Sequence, residues 1–492
     1  MANAIFDILK SSVLSPGATA VATQNGNVTY LVLAQMCWCY AVRMREEGVT
    51  EDSCTAIAVT NPVVALVSIM AVGLIGGRWV QATTPANQRD DLGITHLLHD
   101  APFTDALFPA ARRVLIDTSW RAVPADMAAR HIHDINGNRS PDDVWMISQS
   151  SGTTGTQKFM ELSYANFFRR NAKTALTHDF RPVITASLFA RLTGPWVSYN
   201  LRTLRLQGTL VMGKSLDFMV QSNVQKVFGS PKHFDQWLEM DAAPLLPKLP
   251  IAHVAGATLP PAFANRILGR FNIIHNFYGG TEVGGVARNV LTGPAADIRC
   301  VGAILAGNEV AILDEAGSPS GPNEEGRVAI SNNVMVDGYL ADEEATRQSF
   351  RHGWFLPGDL GFLDAEGLLY LTSRLGDVVN VSGSKTSLFA VETLVAACPG
   401  VADAACGVLR NANSSDELML MVKLAGNAAA GAVMQDLAEI LGKSPVTAGK
   451  LRNVCVVPAI PRNENGKISR AEVNAALLTL SPVQLPPRKS RY

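Results

Sequence analysis

Short apolar runs alternate with amphipathic segments between residues 53 and about 285, and this alternation restricts the possible folds more than any other feature. The runs have the length of buried strands, and segments such as 234–240 and 262–270 have the period of helices. Strand–helix–strand repeats of this kind build mainly parallel sheets covered by helices. The predicted strands are 54–60, 113–117, 144–150, 183–189, 209–212, 224–228, 251–255 and 272–277.

The pattern changes after residue 285. Residues 309–314 and 327–331 flank the turn-rich sequence GSPSGPNEEG, which predicts antiparallel strands of a β subdomain. A smaller α+β unit follows, for which we predict a hairpin, helices at 387–397, 428–441 and 470–478, and strands at 418–424 and 454–457. Because 492 residues exceed one hydrophobic core, we expect an α/β fold with two domains, 1–375 and 376–492.

Composition excludes several function classes. A formal net charge of −1 provides no electrostatic attraction for nucleic acid or an anionic membrane. The apolar stretch at residues 62–77 is shorter than the roughly 20 residues that span a bilayer, so we predict a buried helix there. Seven scattered cysteines and an N-terminus without a signal-peptide pattern predict a reducing, cytoplasmic location.

A loop rich in glycine and hydroxyl side chains follows the strand predicted at 144–150. Its glycines allow close approach of an anion, and its consecutive amides and lysine can bind phosphate oxygens. The spacing does not match a Walker A motif, because Gln157 and Phe159 occupy two of its required positions. The candidate phosphate ligands are Ser151, Gly152, Thr153, Thr154, Gly155 and Lys158.

Three further segments follow in order: NFYGGTE at 276–282, GWFLPGD at 353–359 with SRLGD at 373–377 and SG at 382–383, and PRNENGKISR at 461–470. Together with the loop, these segments resemble the adenylate-forming superfamily, which comprises acyl- and aryl-CoA synthetases, nonribosomal peptide adenylation domains and luciferases. The resemblance extends from residue 28 to residue 470 and is strongest to acyl-CoA ligases. It implies ATP-dependent activation of a carboxylic acid as acyl-adenylate, followed by thioester formation with coenzyme A.

The resemblance implies a nucleotide site. The loop 151–158 would hold the β- and γ-phosphates of ATP, and Asp359 would accept hydrogen bonds from the ribose hydroxyls. Tyr278 would pack on adenine opposite the turn 256–258, and Arg374 would complete the ribose and phosphate contacts. The nucleotide-binding positions outside the loop are therefore Gly256, Ala257, Tyr278, Gly279, Asp359 and Arg374.

The same resemblance implies three catalytic positions. Thr281 would contact the α-phosphate, Glu282 would hold Mg²⁺, and Lys467 would offset charge as pyrophosphate leaves. Taken singly, each has a simpler explanation: Glu282 could begin a helix, and Lys467 could be a solvated lysine. Only the joint order of the motifs favours chemistry.

In this family the C-terminal domain alternates between an adenylation pose and a thioester-forming pose. The resemblance places the hinge at Gly376, where glycine can absorb a large backbone change, and the coenzyme A side at Gly383.

Four positions depart from the family pattern. Phe159 replaces a glycine beside the phosphates, Tyr164 and Ala190 stand where histidines are common, and Asn380 replaces a frequent lysine. These changes lie mostly on the ATP and carboxylate side. They raise the hypothesis of weakened adenylation, against the alternative of ordinary divergence within the family.

The acyl pocket of the family corresponds to apolar and small residues in this chain. An aryl, bulky aliphatic or polycyclic acid therefore fits better than an amino acid or acetate. The predicted lining is Phe189, Trp196, Phe228, Gly229, Val283 and Gly284.

Other functions stay open at this point. A separate carrier protein could replace coenzyme A as acceptor, and a non-catalytic adenylate-binding protein could retain the same nucleotide motifs. A hydrolase has no support, because the chain contains neither a G-x-S-x-G nor an H-E-x-x-H motif.

Overall fold

The computed structural model describes most of the chain. The described residues are 4–82, 90–101, 108–122, 124, 140–150, 158–175, 183–240, 247–293, 297, 299–381, 384–410, 416–426, 428–444, 447, 451–462 and 467–486.

A six-stranded sheet forms the first part of the chain. Its pairs are parallel except the last, in which Val144–Ser150 and Lys158–Ser163 run antiparallel, with Ser150 opposite Lys158. This hairpin therefore brackets the predicted phosphate loop. The strand order is Arg112–Leu115, Ile94–His99, Cys54–Ala58, Arg78–Gln81, Val144–Ser150, Lys158–Ser163.

A larger sheet follows, with 15 strands in the described residues. Its parallel part contains Lys226–Gly229, Leu249–Ala255 and Phe271–Gly280, and pairing becomes antiparallel from Gly284–Leu291 onward. The predicted change near residue 285 is therefore confirmed. The remaining strands are Thr19–Thr23, Gly26–Thr29, Ile184–Ser187, Thr209–Val211, Cys300–Ile304, Asn308–Leu313, Gly326–Asn332, Phe350–Arg351, Trp354–Phe355, Asp359–Leu363 and Leu368–Arg374.

The end of the chain builds a smaller α+β unit. The hairpin Val378–Val381 and Ser384–Ser387 precedes a four-stranded sheet, and two apolar clusters here contain only residues from Val379 to Leu485. This unit thus has cores of its own, while the boundary after residue 375 stays a prediction. The strands of its sheet are Val401–Arg410, Asp416–Leu424, Leu451–Val456 and Val483–Gln484.

Helices cover these sheets and agree closely with the predicted segments. None in the described parts of the chain is both long and apolar enough to cross a membrane. They are Ala4–Leu9, Ser11–Leu14, Tyr30–Glu46, Pro62–Ile75, Tyr164–Ala175, Gly194–Arg205, Leu216–Gln221, Pro231–Met240, Pro261–Leu268, Glu343–Ser349, Leu388–Ala396, Ala430–Lys443 and Arg470–Leu477.

The most apolar helix, Pro62–Ile75, lies in the core, as its sequence predicts. Asn61 caps its start by accepting hydrogen bonds from the amides of Val63 and Val64 at 2.9 and 3.1 Å. Gly76 ends it in the left-handed region, with φ of 90°. All seven cysteines of the chain are free thiols.

We expect Asn61→Ala to destabilise the first part of the chain by about 1 kcal/mol, because two helix amides lose their acceptor. Thermal and urea unfolding would measure the loss. Asn61→Asp retains the acceptor and serves as the matched control. Equal unfolding midpoints for Asn61→Ala and the parent would contradict the capping role.

Candidate functional site

A buried carboxylate lies at the centre of the candidate site. Asp359 is only 4% exposed and stands opposite Arg374 in the strand pair Asp359–Leu363 and Leu368–Arg374. Tyr278, near the end of Phe271–Gly280, donates its hydroxyl to Asp359 Oδ2 at 2.6 Å. Arg374 Nε donates to Asp359 Oδ1 at 2.6 Å. The structure thus brings together three residues that sequence motifs placed far apart.

The protonation of this cluster follows from burial and from Asp359. Burial first, and then Asp359, raise the pKa of Tyr278 well above its usual value, so its hydroxyl stays a donor. Asp359 raises the pKa of Arg374, which remains a cation. Each Asp359 oxygen has one donor here and a further lone pair. A ribose hydroxyl could bind there without displacing either partner.

Lys467 belongs to the C-terminal unit but acts electrostatically on this same cluster. Burial lowers its pKa, and nearby Arg374 lowers it further, while Asp359 and Glu282 oppose the shift. The surrounding loop closes through a backbone bridge between Arg462 and Ile468. The charges of Arg374, Asp359 and Glu282 therefore all act on the Lys467 ammonium group.

Thr281 and Glu282 form the turn after the strand of Tyr278. Tyr339 donates its hydroxyl to Glu282 Oε1 at 3.0 Å, and Lys158 Nζ lies 4.5 Å from the centre of the Tyr339 ring. The Tyr339 ring therefore lies between Lys158, at the end of the predicted phosphate loop, and the Glu282 carboxylate. Arg170 also reaches this turn. The sequence motifs identified neither Tyr339 nor Arg170.

Glu282 has the chemistry of a magnesium ligand, because Mg²⁺ prefers one or two carboxylates and otherwise binds phosphate oxygens and water. Among the described residues no group of three or more His, Cys, Asp or Glu side chains could hold a metal alone. The single carboxylate of Glu282 beside the predicted phosphate loop fits Mg²⁺ better than a site built from several protein ligands would.

Two glycine segments border the cluster. Gly256 follows the strand Leu249–Ala255 with φ of 99°, and Ala257 continues that turn beside the strand of Tyr278. A Cβ on Gly279 would lie 2.2 Å from the carbonyl oxygen of Gly284, so only glycine permits this close strand approach.

A stack of aromatic rings fills the predicted acyl side. Tyr199 stacks on Phe228 with ring centres 4.2 Å apart, and Phe189 stacks on Tyr199 at 5.9 Å. His253 stacks on Phe277 at 3.9 Å and lies 2.7 Å from the Tyr199 hydroxyl through its Nε2. The sequence predicts the segment 189–200 as pocket lining without naming Tyr199, and it missed His253, which lies in no motif.

The other predicted acyl-pocket residues are divided among several environments. Trp196 is buried in the same apolar cluster as Phe189 and Phe228. Gly229 adjoins a second apolar cluster, since a Cβ there would meet the Phe234 ring of that cluster at 3.0 Å. Val283 packs in a different cluster of the β subdomain, and Gly284, with φ of 73°, adjoins Arg170.

Two predicted segments lie outside the described residues. They are Ser151, Gly152, Thr153, Thr154 and Gly155 of the phosphate loop, and Gly383 on the predicted coenzyme A side. The predicted hinge is described: Gly376 is exposed in the short 3₁₀ turn Leu375–Asp377, and a Cβ there would meet nothing within 4 Å. Its φ is outside the left-handed region, so this pose does not require glycine.

Two departures from the motif pattern serve the core. The Phe159 ring is 1% exposed and packs in an apolar cluster with Val80 and Ile147. Tyr164 stacks on Trp145, with ring centres 5.7 Å apart. The Phe159 ring therefore packs into the core, because its strand directs it inward.

The family model described as "AMP-binding enzyme" matches residues 10–340. Among curated relatives, feruloyl-CoA synthase of Amycolatopsis sp. is 29% identical over 427 residues, covering 80% of this chain and 83% of the relative. The 2-succinylbenzoate–CoA ligase of Geobacillus kaustophilus is 24% identical over 490 residues, covering 94% and 95%.

Solved structures share the fold over nearly the whole chain. O-succinylbenzoate coenzyme A synthetase of Bacillus subtilis, in complex with AMP, has a TM-score of 0.79 at 19% identity and covers all of both chains. ATP-bound MatB of Rhodopseudomonas palustris has a TM-score of 0.80 at 21% identity, covering 97% of this chain and 99% of its own.

We expect Tyr278→Phe to weaken nucleotide binding about tenfold, because Asp359 loses a hydrogen bond of the kind made to charged groups. Calorimetry with AMP would measure the change. Tyr370→Phe is the control, since the Tyr370 ring stacks on Phe362 away from the cluster. Unchanged AMP affinity in Tyr278→Phe would contradict the positioning of Asp359 by Tyr278.

Proposed function

Because the chain belongs to the AMP-binding enzyme family, we propose that it is an AMP-forming acid–thiol ligase that makes acyl-CoA from a carboxylic acid, ATP and coenzyme A. The observation that carries the proposal is the arrangement of Asp359, Tyr278 and Arg374 opposite Lys467. An adenosine-binding carboxylate and a mobile cation are the two parts that adenylation needs.

In the first half-reaction, a carboxylate oxygen of the substrate attacks the α-phosphorus, and the bond to pyrophosphate breaks. Asp359 holds the ribose, while Thr281 and Lys467 stabilise the charge that develops on the α-phosphate and the attacking oxygen. Glu282 would hold Mg²⁺, which supplies charge neutralisation for the phosphates when bound.

In the second half-reaction, the thiolate sulfur of coenzyme A attacks the acyl carbon, and the bond to AMP breaks. We propose that the unit 376–492 turns about Gly376 between the two steps and presents the segment around Gly383. Two contacts join this unit to the rest of the chain in the structure: Ser387 Oγ donates to Ser373 Oγ at 2.7 Å, and Lys423 Nζ lies 3.6 Å from Glu239 Oε1.

The buried ring of Phe159 favours a complete ligase over a relative with lost adenylation. The substitution that argues most against ATP turnover is Phe159 in place of a glycine, and the Phe159 ring packs in the core. The lysine docked at the nucleotide cluster also argues against a purely nucleotide-binding protein. A separate carrier protein remains the alternative acceptor.

The ring stack favours a compact aromatic acid as substrate. Phe189, Tyr199 and Phe228 stack nearly parallel to one another, and aromatic side chains make favourable contacts with other aromatic rings. The relatives named for feruloyl and 2-succinylbenzoyl groups support an aryl acid. The free thiols of the chain support a cytoplasmic location, where ATP and coenzyme A are supplied.

The function is tested by pyrophosphate release from Mg·ATP across a panel of aryl acids, with and without coenzyme A. Acid-dependent release that is lost in Lys467→Ala supports the ligase. If no acid causes release, synthetic acyl-adenylates with coenzyme A follow. Thioester formed only then indicates an enzyme of the second half-reaction, and no thioester at all favours an adenylate-binding protein.

We expect adenylation to decline at alkaline pH below 10.5, the ordinary pKa of lysine. The pKa of Lys467 is lowered, chiefly by burial, so its positive charge is lost as pH rises through a value below the ordinary one. The pH profile of pyrophosphate release measures this decline. Lys467→Arg keeps its positive charge over this pH range, so its pyrophosphate release should not decline. An identical alkaline decline in Lys467→Arg would contradict the assignment.

We expect Tyr199→Ala to extend the substrate range toward longer acids, because it removes the central ring of the stack. Values of kcat/KM for aryl acids of increasing length measure the effect. Tyr199→Phe is the matched control, since it keeps the ring and removes only the contact with His253. The same length preference in Tyr199→Ala and the parent would contradict the stack as the limit of the pocket.

A further inference from the structure

Arg170 ties the Thr281–Glu282 turn to the helix that follows the phosphate-loop hairpin. It lies on the helix Tyr164–Ala175, and its Nη1 donates to the Thr281 carbonyl at 2.6 Å. Its Nη2 donates to the Glu282 carbonyl at 3.0 Å, and its Nε donates to the Val334 carbonyl at 2.8 Å. One guanidinium thus holds three carbonyl oxygens on two separate segments.

The charge of Arg170 lies directly behind the turn. Burial lowers its pKa to about 10, against an opposing effect of Glu282, so the guanidinium is cationic at neutral pH. Placing a cation out of water is costly unless it is well paired. Its closeness to Glu282 and to the turn proposed to face the α-phosphate adds positive potential where phosphate oxygens would bind.

The same turn is fixed from its other sides. The Val336 amide donates to the Glu282 carbonyl at 2.9 Å, so that oxygen accepts from both Val336 and Arg170. Tyr339 holds the Glu282 carboxylate. The main chain and the side chain of Glu282 are therefore positioned by different residues. Arg170 links this turn to the helix that follows the phosphate-loop hairpin.

We propose that Arg170 is a positioning residue for adenylation, which sets the Thr281–Glu282 turn and adds positive potential at the Mg·ATP phosphates. The inference rests on the proposed ligase function and on the guanidinium geometry. A lysine could supply the charge but not three fixed donors in one plane. Arg170 acts through the turn and touches no reacting atom.

The variants Arg170→Lys and Arg170→Met separate charge from geometry. Arg169→Met is the matched control, because Arg169 is the neighbouring arginine on the same helix, with 54% of its side chain exposed, and pairs with Asp142 at 3.6 Å. Thermal unfolding of all three variants identifies any general loss of stability. Arg170→Lys keeps the charge and the chain length, and so provides a folded test should Arg170→Met fail to fold.

Calorimetry of Mg·ATP binding is the first measurement, because it requires no turnover. We expect the Kd of Mg·ATP to rise about tenfold in Arg170→Lys and further in Arg170→Met, as turn geometry and charge are lost. AMP without Mg²⁺ should lose less affinity than Mg·ATP, since its contacts with Asp359 are unchanged and only its single phosphate faces the turn. Arg169→Met should match the parent in both measurements.

The two half-reactions give the second measurement. Pyrophosphate release should fall in the Arg170 variants and need more Mg²⁺ for half-saturation, while thioester formation from supplied acyl-adenylate should be retained. Unchanged Mg·ATP affinity in both variants, or equal losses for Mg·ATP and AMP, would overturn the proposal. A parent protein that binds Mg·ATP through Arg170 but releases no pyrophosphate would support it and overturn the ligase function.

Discussion

The contact of one buried carboxylate with Tyr278 and Arg374 holds the candidate site together. Tyr278 lies on the parallel part of the large sheet, whereas Asp359 and Arg374 lie in the antiparallel part. The strands Gly284–Leu291 and Cys300–Ile304 separate these two parts in the strand order, so the sheet must curl for the side chains to meet. The hydrogen bonds to Asp359 join the two parts of the sheet at this point.

The electrostatics of the cluster also explain how the C-terminal unit can be held weakly and still deliver a charge. Burial and Arg374 both disfavour the protonated form of Lys467, while Asp359 and Glu282 favour it. An anionic phosphate and carboxylate between these groups would shift the balance toward the charged lysine. The charged form of Lys467 would lose this stabilisation when pyrophosphate and then AMP depart. The bound substrates would therefore favour the docked pose of the C-terminal unit.

Sequence patterns predicted the elements well where burial follows a regular period. The strand predicted at 144–150 coincides with Val144–Ser150, and the helix predicted at 387–397 differs from Leu388–Ala396 by one residue at each end. The strand predicted at 54–60 ends earlier, at Ala58. There Asp100 binds the amides of Thr60 and Asn61, a contact from 40 residues away that no local pattern contains.

Motifs named the residues of the Asp359 cluster and of the Thr281–Glu282 turn but not the residues that support that turn, and two adjacent arginines show the reason. Arg169 and Arg170 are equivalent in sequence, yet one pairs with Asp142 at the surface and the other binds three carbonyls beneath the proposed catalytic turn. Only the rotation of the helix against the turn distinguishes them. Phe159 is a second example, because it departs from the motif in sequence but its ring packs in the apolar core. A substitution at a motif position therefore indicates lost chemistry only where the backbone directs that side chain into the site.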